Sequence, residues 1–390
     1  MVVGTVPGVI AAHQKRSDRV SPAGPGALFI GSPLSRQASF GNLHPLAIPR
    51  VAAVMDLCGT LGWLSEDNFR ESPQADVDTL ASFHSREYIA VLSRADAVQS
   101  VDTVVRARYQ LGSFENPVFP GVYRKAATAV GGSILAAELA LDGHVTFHPA
   151  GGTHHGRPDR ASGFCYFNDP VFAIRRLEQH GIERIVYVDL DAHHCDGVQD
   201  AFRDDHRVAT ISIHEQGRWP GTGAFEDRGG GRSLNLPVPA GLNDDEFGFL
   251  MDEAVLPVAT AFRPEAVVVT CGTDALAGDP LTRLALSNLA LWDAVQRLCD
   301  VAPVRVVLGG GGYNPWTLAR CWTGLWGRLR GAPLPATLPA SAQAVLEDMT
   351  CDLVDDDEIL RTWLTTLADE PQHGGIRPEI VALARRARAA

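Results

Sequence analysis

Paired cysteines, long apolar runs and an excess of basic residues are all missing from this sequence. The seven cysteines among 390 residues are an odd number, and no CxxC spacing occurs. This scatter is typical of reduced thiols inside a cell rather than of a disulfide framework.

No stretch approaches the ~18 apolar residues that a membrane-spanning helix needs. The weakly apolar start, MVVGTVPGVIAA, has no basic segment before it, as a secretory signal would. These absences predict a cytoplasmic protein without a membrane span.

The charge balance argues against another class of function. Lysine and arginine number 34 against 46 aspartates and glutamates, which gives a formal net charge of −12. A nucleic-acid groove requires the opposite sign, so we expect no direct nucleic-acid binding. The negative charge is compatible with a cationic substrate, although it more commonly serves solubility.

Length and composition favour one large domain. Folds of the α/β class often reach this length as one unit, and a hydrophobic content of 45% supports a large core. Residues 1–26 mix glycine, proline, serine and charge, so we expect a disordered tail there. We place the main domain at 27–330 and a Pro-rich connection with helices that pack on it at 331–390. An oligomer is compatible with this sequence.

The stretch IVYVDLDAHHCDGVQDAF, residues 185–202, organises the chain. Its first five residues, up to Asp189, are β-branched, aromatic or acidic in an order typical of a strand buried on both faces of a parallel sheet. Ligands bind beyond the carboxyl ends of such strands, where the polar part of this stretch falls. Asp191 and His193 are two residues apart, so extended backbone turns both side chains to one face, where they could bind one cation.

Strand, polar loop and helix recur along the chain without sequence repetition. Further strands are predicted at 27–30, 207–214, within 264–280 and within 304–316, and helices within 44–64, over 123–141, after Asp169 as N-cap, and over about 244–262. This alternation predicts an α/β fold with a parallel sheet. The polar loops of this alternation hold the other candidate residues, His154, His155, Asp274 and Tyr313. We expect Arg50 to be an ordinary solvated helix residue and His84 a packed one.

Five segments resemble motifs of the zinc-dependent histone deacetylases, specifically the bacterial acetoin-utilisation-like members. They read GGTHHGRPDRASGFCYFND, YVDLDAHHCDGVQDAF, ISIHEQGRWPGTG, CGTDALAGDPL and LGGGGYNPW. The resemblance runs in order from about residue 28 to residue 326. It implies the arginase/deacetylase fold, a single α/β domain whose parallel eight-stranded sheet is flanked by helices.

The resemblance also implies roles for the candidate residues. Asp191, His193 and Asp274 would bind one catalytic Zn²⁺, which Fe²⁺ or Co²⁺ could replace, and would leave a position open for water. His154 and His155 would share the proton transfers, and which one acts as base stays open. The remaining implied positions are carboxylates behind the histidines at Asp189 and Asp196, an oxyanion donor at Tyr313, channel walls at Gly163, Phe164, Trp219 and Leu281, and a K⁺ site at Asp189 and Ser212.

Two positions depart from the family's motifs or match them only loosely. Cys195 replaces the glycine usual between the second histidine and Asp196, so a strained loop or a thiol near the metal is expected, together with inhibition by thiol reagents. Glu115 falls near the rim acid with which the family grips its substrate.

The function predicted from this resemblance is removal of acetyl groups from lysine side chains of proteins or peptides. The alternative within the fold is an acetylpolyamine amidohydrolase. A binuclear manganese ureohydrolase would need further carboxylates for a second metal, and these are missing. A catalytically silent acyl-lysine-binding protein would have no need of the complete set of candidate ligands, histidines and Tyr313.

Overall fold

The computed structural model describes residues 26–37, 40–41 and 44–389, so residues 1–25 of the predicted tail lie outside the described part. Its eight strands pair in parallel within one sheet, in the order β2-β1-β3-β8-β7-β4-β5-β6. The strands are β1 Ala27–Gly31, β2 Phe69–Glu71, β3 Val145–His148, β4 Ile185–Asp189, β5 Val208–Glu215, β6 Ser233–Val238, β7 Ala266–Thr270 and β8 Val304–Leu308.

The central strand β4 shows how the sequence forms a sheet with two buried faces. All five of its residues are buried. Val186 and Val188 pack into the hydrophobic cluster on one face, and Ile185 and Tyr187 pack into the cluster on the other. Successive strand residues point to opposite faces, so an uninterrupted apolar run supplies both cores at once.

Helices cover both faces of this sheet. They are α1 Arg50–Thr60, α2 Val77–Leu80, α3 Arg86–Val98, α4 Thr103–Tyr109, α5 Val122–Leu141, α6 Asp169–Gln179, α7 Asp196–Ala201, α8 Asp244–Leu250, α9 Leu256–Ala261, α10 Asn288–Cys299, α11 Pro315–Leu329, α12 Ala340–Glu347, α13 Arg361–Thr365 and α14 Pro378–Ala389. Short 3₁₀ turns occupy Pro33–Arg36, Gly229–Gly231 and Asp356–Glu358, and a π-helical segment, Met251–Val255, joins α8 to α9. Among the described residues no helix is long and apolar enough to cross a bilayer.

The sheet order brings the candidate residues together. The five neighbouring strands β3, β8, β7, β4 and β5 are each followed by one of the polar loops singled out in the sequence. Because all strands are parallel, these loops leave the same edge of the sheet. Residues more than 150 positions apart in the chain therefore meet at one site.

Helix α6 corrects one prediction. Its N-cap is Asn168, whose side-chain oxygen accepts from the backbone N–H of Val171. Asp169 is instead the first helical residue, and its carboxylate accepts from Ser133 Oγ at 2.5 Å and from the backbone N–H of Thr153 at 2.7 Å. Both residue types cap helices well. The buried loop before α6 needs an acceptor for its donors, and the carboxylate of Asp169 serves as that acceptor.

The C-terminal segment packs directly on the helices of the main sheet. The indole of Trp316 donates to the carbonyl of Leu346 at 2.9 Å. The fully buried Arg320 pairs with Asp369 at 2.7 Å and donates to the carbonyl of Thr366. We propose that residues 331–389 form part of the same folding unit, since a buried arginine that lost these partners would be costly.

Candidate metal centre and active site

Three side chains from two adjacent strands meet at the carboxyl edge of the sheet. Asp191 and His193 follow β4, and Asp274 follows its neighbour β7. One potential ligand atom of each lies within 4.8 Å of the others, and all three residues are buried. The Nδ1 atom of His193 lies 3.1 Å from Asp191 Oδ1 and 3.0 Å from Asp274 Oδ2. Within the described residues no other group of this kind is found.

Backbone amides fix the two carboxylates. Asp191 accepts from the N–H of Gly311 at 2.5 Å, and Asp274 accepts from the N–H of Ala192 at 3.0 Å. A side chain at Gly311 would place its Cβ 2.2 Å from Asp274 Oδ2. The glycine-rich turn after β8 therefore has to lack side chains to approach the carboxylates this closely.

The electrostatics of this cluster favour a bound cation. Burial lowers the pKa of His193, but the hydrogen bonds to Asp191 and Asp274 outweigh burial and raise it to about 10. Burial and the charge of Asp191 raise the pKa of Asp274 to about 6. Two close, buried carboxylates thus repel one another and stabilise positive charge between them. Two oxygen donors and one imidazole form a donor set that suits Zn²⁺ and also Fe²⁺ or Co²⁺.

Two histidine–carboxylate pairs lie beside the cluster, and we refer to them as the two dyads. His154 Nδ1 lies 2.7 Å from Asp189 Oδ2, and His155 Nδ1 lies 2.7 Å from Asp196 Oδ1. All four side chains are buried. Each carboxylate orients its ring so that the other nitrogen, Nε2, points away from the pair.

The dyads differ in their electrostatics. Burial acts to lower the pKa of His154, but the charges of Asp189 and Asp191 outweigh it and raise the pKa to about 9. Burial and the neighbouring His154 lower the pKa of His155 to about 3, against the opposing effect of Asp196. His155 is therefore the neutral member of the pair.

A cavity of about 330 Å³, which we call the channel, leads to this cluster. Gly163, with φ +54, allows the wall to close, because a Cβ there would lie 2.3 Å from the Trp219 ring. The next residue, Phe164, also has a positive φ, +67, a strained conformation of the kind found at functional sites. The residues that line the cavity are Phe114, Glu115, His155, Gly163, Phe164, His193, Arg218, Trp219, Leu281 and Tyr313.

The mouth of this channel carries charges of both signs. Glu115 lies there, but its Oε1 accepts from the backbone N–H of Gly163 at 2.5 Å. Arg218, which the sequence analysis did not single out, pairs with the buried Glu215 at 2.7 Å. The exposed Arg283 lies 3.6 Å from the same carboxylate. The surroundings of the mouth are therefore not dominated by free carboxylates.

The remaining predicted positions fall around the site. Ser212 pairs with Asp189 across the sheet, and its Oγ lies 2.9 Å from His214 Nδ1. Both carboxylate oxygens of Asp189 already accept hydrogen bonds, from His154 and from the backbone N–H of Asp191. The K⁺ site at Asp189 and Ser212 stays a prediction. Arg50 is not the solvated residue expected, because its guanidinium donates to the carbonyl of Gly310 in the turn before Tyr313.

The backbone at Cys195 contradicts one of the two alternatives expected there, the strained loop. Its φ is −76, which any residue adopts, so the loop is not strained by the missing glycine. The thiol is fully buried. Burial and the charge of Asp189 raise its pKa well above the ordinary value, so the reactive thiolate is disfavoured.

Comparisons with known proteins decide the family. The histone deacetylase domain model matches residues 44–329. The chain belongs to the histone deacetylase family. As a member it is a deacetylase of the hydrolase class, acting on acetylated substrates, and the family implies a metal ion for which the Asp–His–Asp cluster supplies donors.

Individual relatives agree with this assignment. The acetoin utilization protein AcuC of Bacillus subtilis is 34% identical over 321 residues, covering 78% of this chain and 82% of that protein. Histone deacetylase 8 of Xenopus tropicalis is 34% identical over 306 residues, covering 76% and 82%. The crystal structure of a histone deacetylase homologue from Aquifex aeolicus superposes with a TM-score of 0.88 at 37% identity, covering 93% of this chain and all of that one. The predicted family and fold are confirmed.

Proposed function

We propose that this deacetylase uses one Zn²⁺ ion to remove acetyl groups from lysine side chains of proteins. The observation that carries the proposal is the convergence of three metal donors, a histidine and a tyrosine at one channel. Asp191, His193 and Asp274 would hold the ion. When bound, zinc polarises the amide carbonyl and lowers the pKa of a water molecule toward ~7.

We assign His155 as the general base. It lines the channel, whereas His154 does not, and its ring packs against Trp219 with centroids 4.6 Å apart. The Nδ1–H of His155 donates to Asp196, so Nε2 is free to accept a proton from water and to return it to the leaving amine. His154 lies deeper, with Nε2 3.9 Å from Asp191, and would stabilise negative charge near the ligands.

Tyr313 would donate its phenol hydrogen to the oxyanion that develops on the amide. It lines the channel together with His155, and its ring lies 6.5 Å from that of His193, edge to face. Burial and the nearby carboxylates raise its pKa well above the ordinary value. The phenol therefore keeps its proton and can donate it as a hydrogen bond.

The channel walls favour a substrate with a long aliphatic arm. Phe164 and Tyr313 pack edge to face with ring centroids 5.9 Å apart, and Trp219 and Leu281 add apolar surface. The methylene stem of an acylated lysine fits such a channel, since acylation removes the charge that would be costly to bury. The homologue whose structure was solved in complex with SAHA is 36% identical, with a TM-score of 0.88, so SAHA is a suitable competitor for this channel.

The charges at the mouth favour lysine over a polyamine. A polyamine brings a second ammonium group, but Glu115 has one oxygen engaged by Gly163 and the channel wall also presents the cation Arg218. Deacetylation of acetylpolyamines remains the alternative function, because Glu115 is an acid at this rim and could attract a cationic substrate.

Steady-state kinetics on matched substrates test the proposal. We expect kcat/KM for an acetyl-lysine peptide to exceed that for acetylputrescine and acetylspermidine, and SAHA to compete with the peptide. A higher kcat/KM on the polyamines would favour the alternative. We also expect one equivalent of metal per chain, and chelation that abolishes activity until Zn²⁺, Co²⁺ or Fe²⁺ is restored. A requirement for two equivalents would contradict the single site.

A further inference from the structure

Arg157 lies on the loop between β3 and α6, outside the channel lining, yet it contacts one of the two dyads. One guanidinium nitrogen, Nη2, donates to Asp196 Oδ2, and the other, Nη1, donates to Asp200 Oδ2 at 2.5 Å. The side chain of Arg157 is 15% exposed and that of Asp196 5%. Solvent therefore screens the pair with Asp196 only weakly.

Arg157 and His155 are both hydrogen-bonded to one carboxylate, that of Asp196. Asp196 Oδ1 accepts from His155 Nδ1 and, at 2.8 Å, from the backbone N–H of Gly197. With Oδ2 bound by Arg157, neither oxygen can rotate without breaking a charge-assisted hydrogen bond. The orientation of the imidazole is thus linked to that of the guanidinium.

The loop itself is held in place by a second buried histidine. His84 Nδ1 donates to the carbonyl of Arg157 at 2.9 Å, and its Nε2 accepts from the backbone N–H of Asn168 at 3.1 Å. The Asn168 amide in turn donates to the carbonyls of His154 and Gly156. The backbone on either side of Arg157 is therefore fixed, which limits where its guanidinium can reach.

We propose that Arg157 is a positioning residue for the deacetylation reaction, whose guanidinium fixes the Asp196 carboxylate so that His155 faces the channel. This inference rests on the proposed function, because it concerns the histidine assigned there as the base. Arginine suits the position better than lysine, since its planar fork contacts two carboxylates at once.

The test compares Arg157→Ala, Arg157→Lys and the matched control Arg160→Ala. Arg160 lies on the same loop, its side chain is 44% exposed, and within the described part of the chain it pairs only with the exposed Asp159. We expect Arg157→Ala to lower kcat about tenfold, at the lower end of the ~10–100-fold typical of groups that orient active-site ligands. KM should stay within about twofold, because Arg157 does not line the channel. Arg157→Lys should recover part of kcat, and Arg160→Ala should match the wild type.

A second readout does not depend on activity. In protein with ¹⁵N-labelled histidine, the Nδ1–H proton of His155 is expected at low field because of its bond to Asp196, and loss of that signal in Asp196→Asn would assign it. Arg157→Ala should shift or broaden this signal, whereas Arg160→Ala should leave it in place.

The outcomes separate this inference from the proposed function. A wild-type enzyme that hydrolyses no acetyl-lysine peptide would count against the proposed function, while the imidazole signal still reports on the Arg157 contact. Wild-type kcat and an unmoved signal in Arg157→Ala would overturn the positioning role, as would an equal loss of kcat in Arg160→Ala. If Arg157→Ala does not fold, Arg157→Lys decides: intermediate kcat with a displaced signal supports the role, and wild-type values overturn it.

Discussion

The two dyads have the same distance between histidine and carboxylate and are both buried, but they differ in what surrounds them. In each, Nδ1 lies 2.7 Å from a carboxylate oxygen. The carboxylate of Asp189 takes its other hydrogen bonds from neutral donors, the phenol of Tyr187 and the backbone N–H of Asp191. The carboxylate of Asp196 takes one from the cation Arg157.

This difference separates the functions that two adjacent histidines can have. A carboxylate whose other hydrogen bonds come from neutral donors strongly stabilises the imidazolium form of its histidine. A carboxylate that also pairs with a guanidinium stabilises the imidazolium form less. His154 is accordingly suited to hold positive charge near the metal donors. His155, which faces the channel, is suited to remain neutral until a proton arrives. The immediate partners are chemically identical, so the distinction comes from the surroundings. Asp191 adds negative charge near His154, whereas His155 lies beside His154, whose charge opposes a second imidazolium.

Replacement of the histidines should have the largest effect and tests the comparison directly. We expect His155→Gln to lower kcat by about 10²–10⁴, the usual contribution of a general base. His154→Gln should lower it less, by about 10–100-fold, because its ring supports charge without lining the channel. Steady-state kinetics at matched metal content provide the measurement. Equal losses in both variants would contradict the separation of roles.

Tyr313→Phe should have the next largest effect and tests whether the channel-facing groups carry the chemistry. The substitution keeps the ring and its packing but removes the donor aimed at the oxyanion. Losing one such donor typically costs about 10²–10³ in kcat, or roughly 3–4 kcal/mol of barrier. KM and metal content should change little, because Tyr313 is not among the proposed ligands. Near-normal kcat in this variant would remove the oxyanion role.

The carboxylates behind the histidines should give a smaller and more diagnostic effect. Asp189→Asn and Asp196→Asn should each lower activity by about 10–100-fold. Each should also lose about 1–3 kcal/mol of stability, because Asp189→Asn leaves the buried His154, and Asp196→Asn leaves Arg157, without a carboxylate partner. Thermal or urea unfolding of both variants measures this loss. An Asp196→Asn variant as stable as the wild type would mean that Arg157 adds nothing to its dyad.

The sequence allowed the centre of the fold to be predicted better than its edges. The five residues of β4 form a continuous apolar run ending in a carboxylate, a pattern that only a doubly buried strand explains easily. The edge strands β2 and β6 were missed, and so was the short inner strand β3. Strand β2 has three residues, too few for any period, and β6 contains Pro237, which a strand accommodates only at the edge of a sheet.

The same contrast holds for the site. Asp191 and His193 could be paired from their spacing because a local period determines which face they share. Arg157 and Asp196 are 39 residues apart, and their contact depends on how the loop after β3 folds over α7. No local pattern encodes that contact. The Arg218–Glu215 pair at the mouth was missed for a different reason, since an Arg three residues after a Glu reads as ordinary surface charge.

Replacing Cys195, the residue just before Asp196, should have the smallest effect. It tests whether the spacing of the dyads tolerates change. Its backbone is unstrained, its thiol lies near Asp189 and Ser212, and it is not part of the channel lining. We expect Cys195→Ala to keep kcat and KM, and to cost about 1 kcal/mol of stability through lost packing. Because the thiol is buried with a raised pKa, we also expect thiol reagents to leave the native enzyme active. Rapid inactivation that SAHA prevents and that Cys195→Ala abolishes would show that this thiol is accessible, and would mean that the loop carrying Asp196 opens in solution.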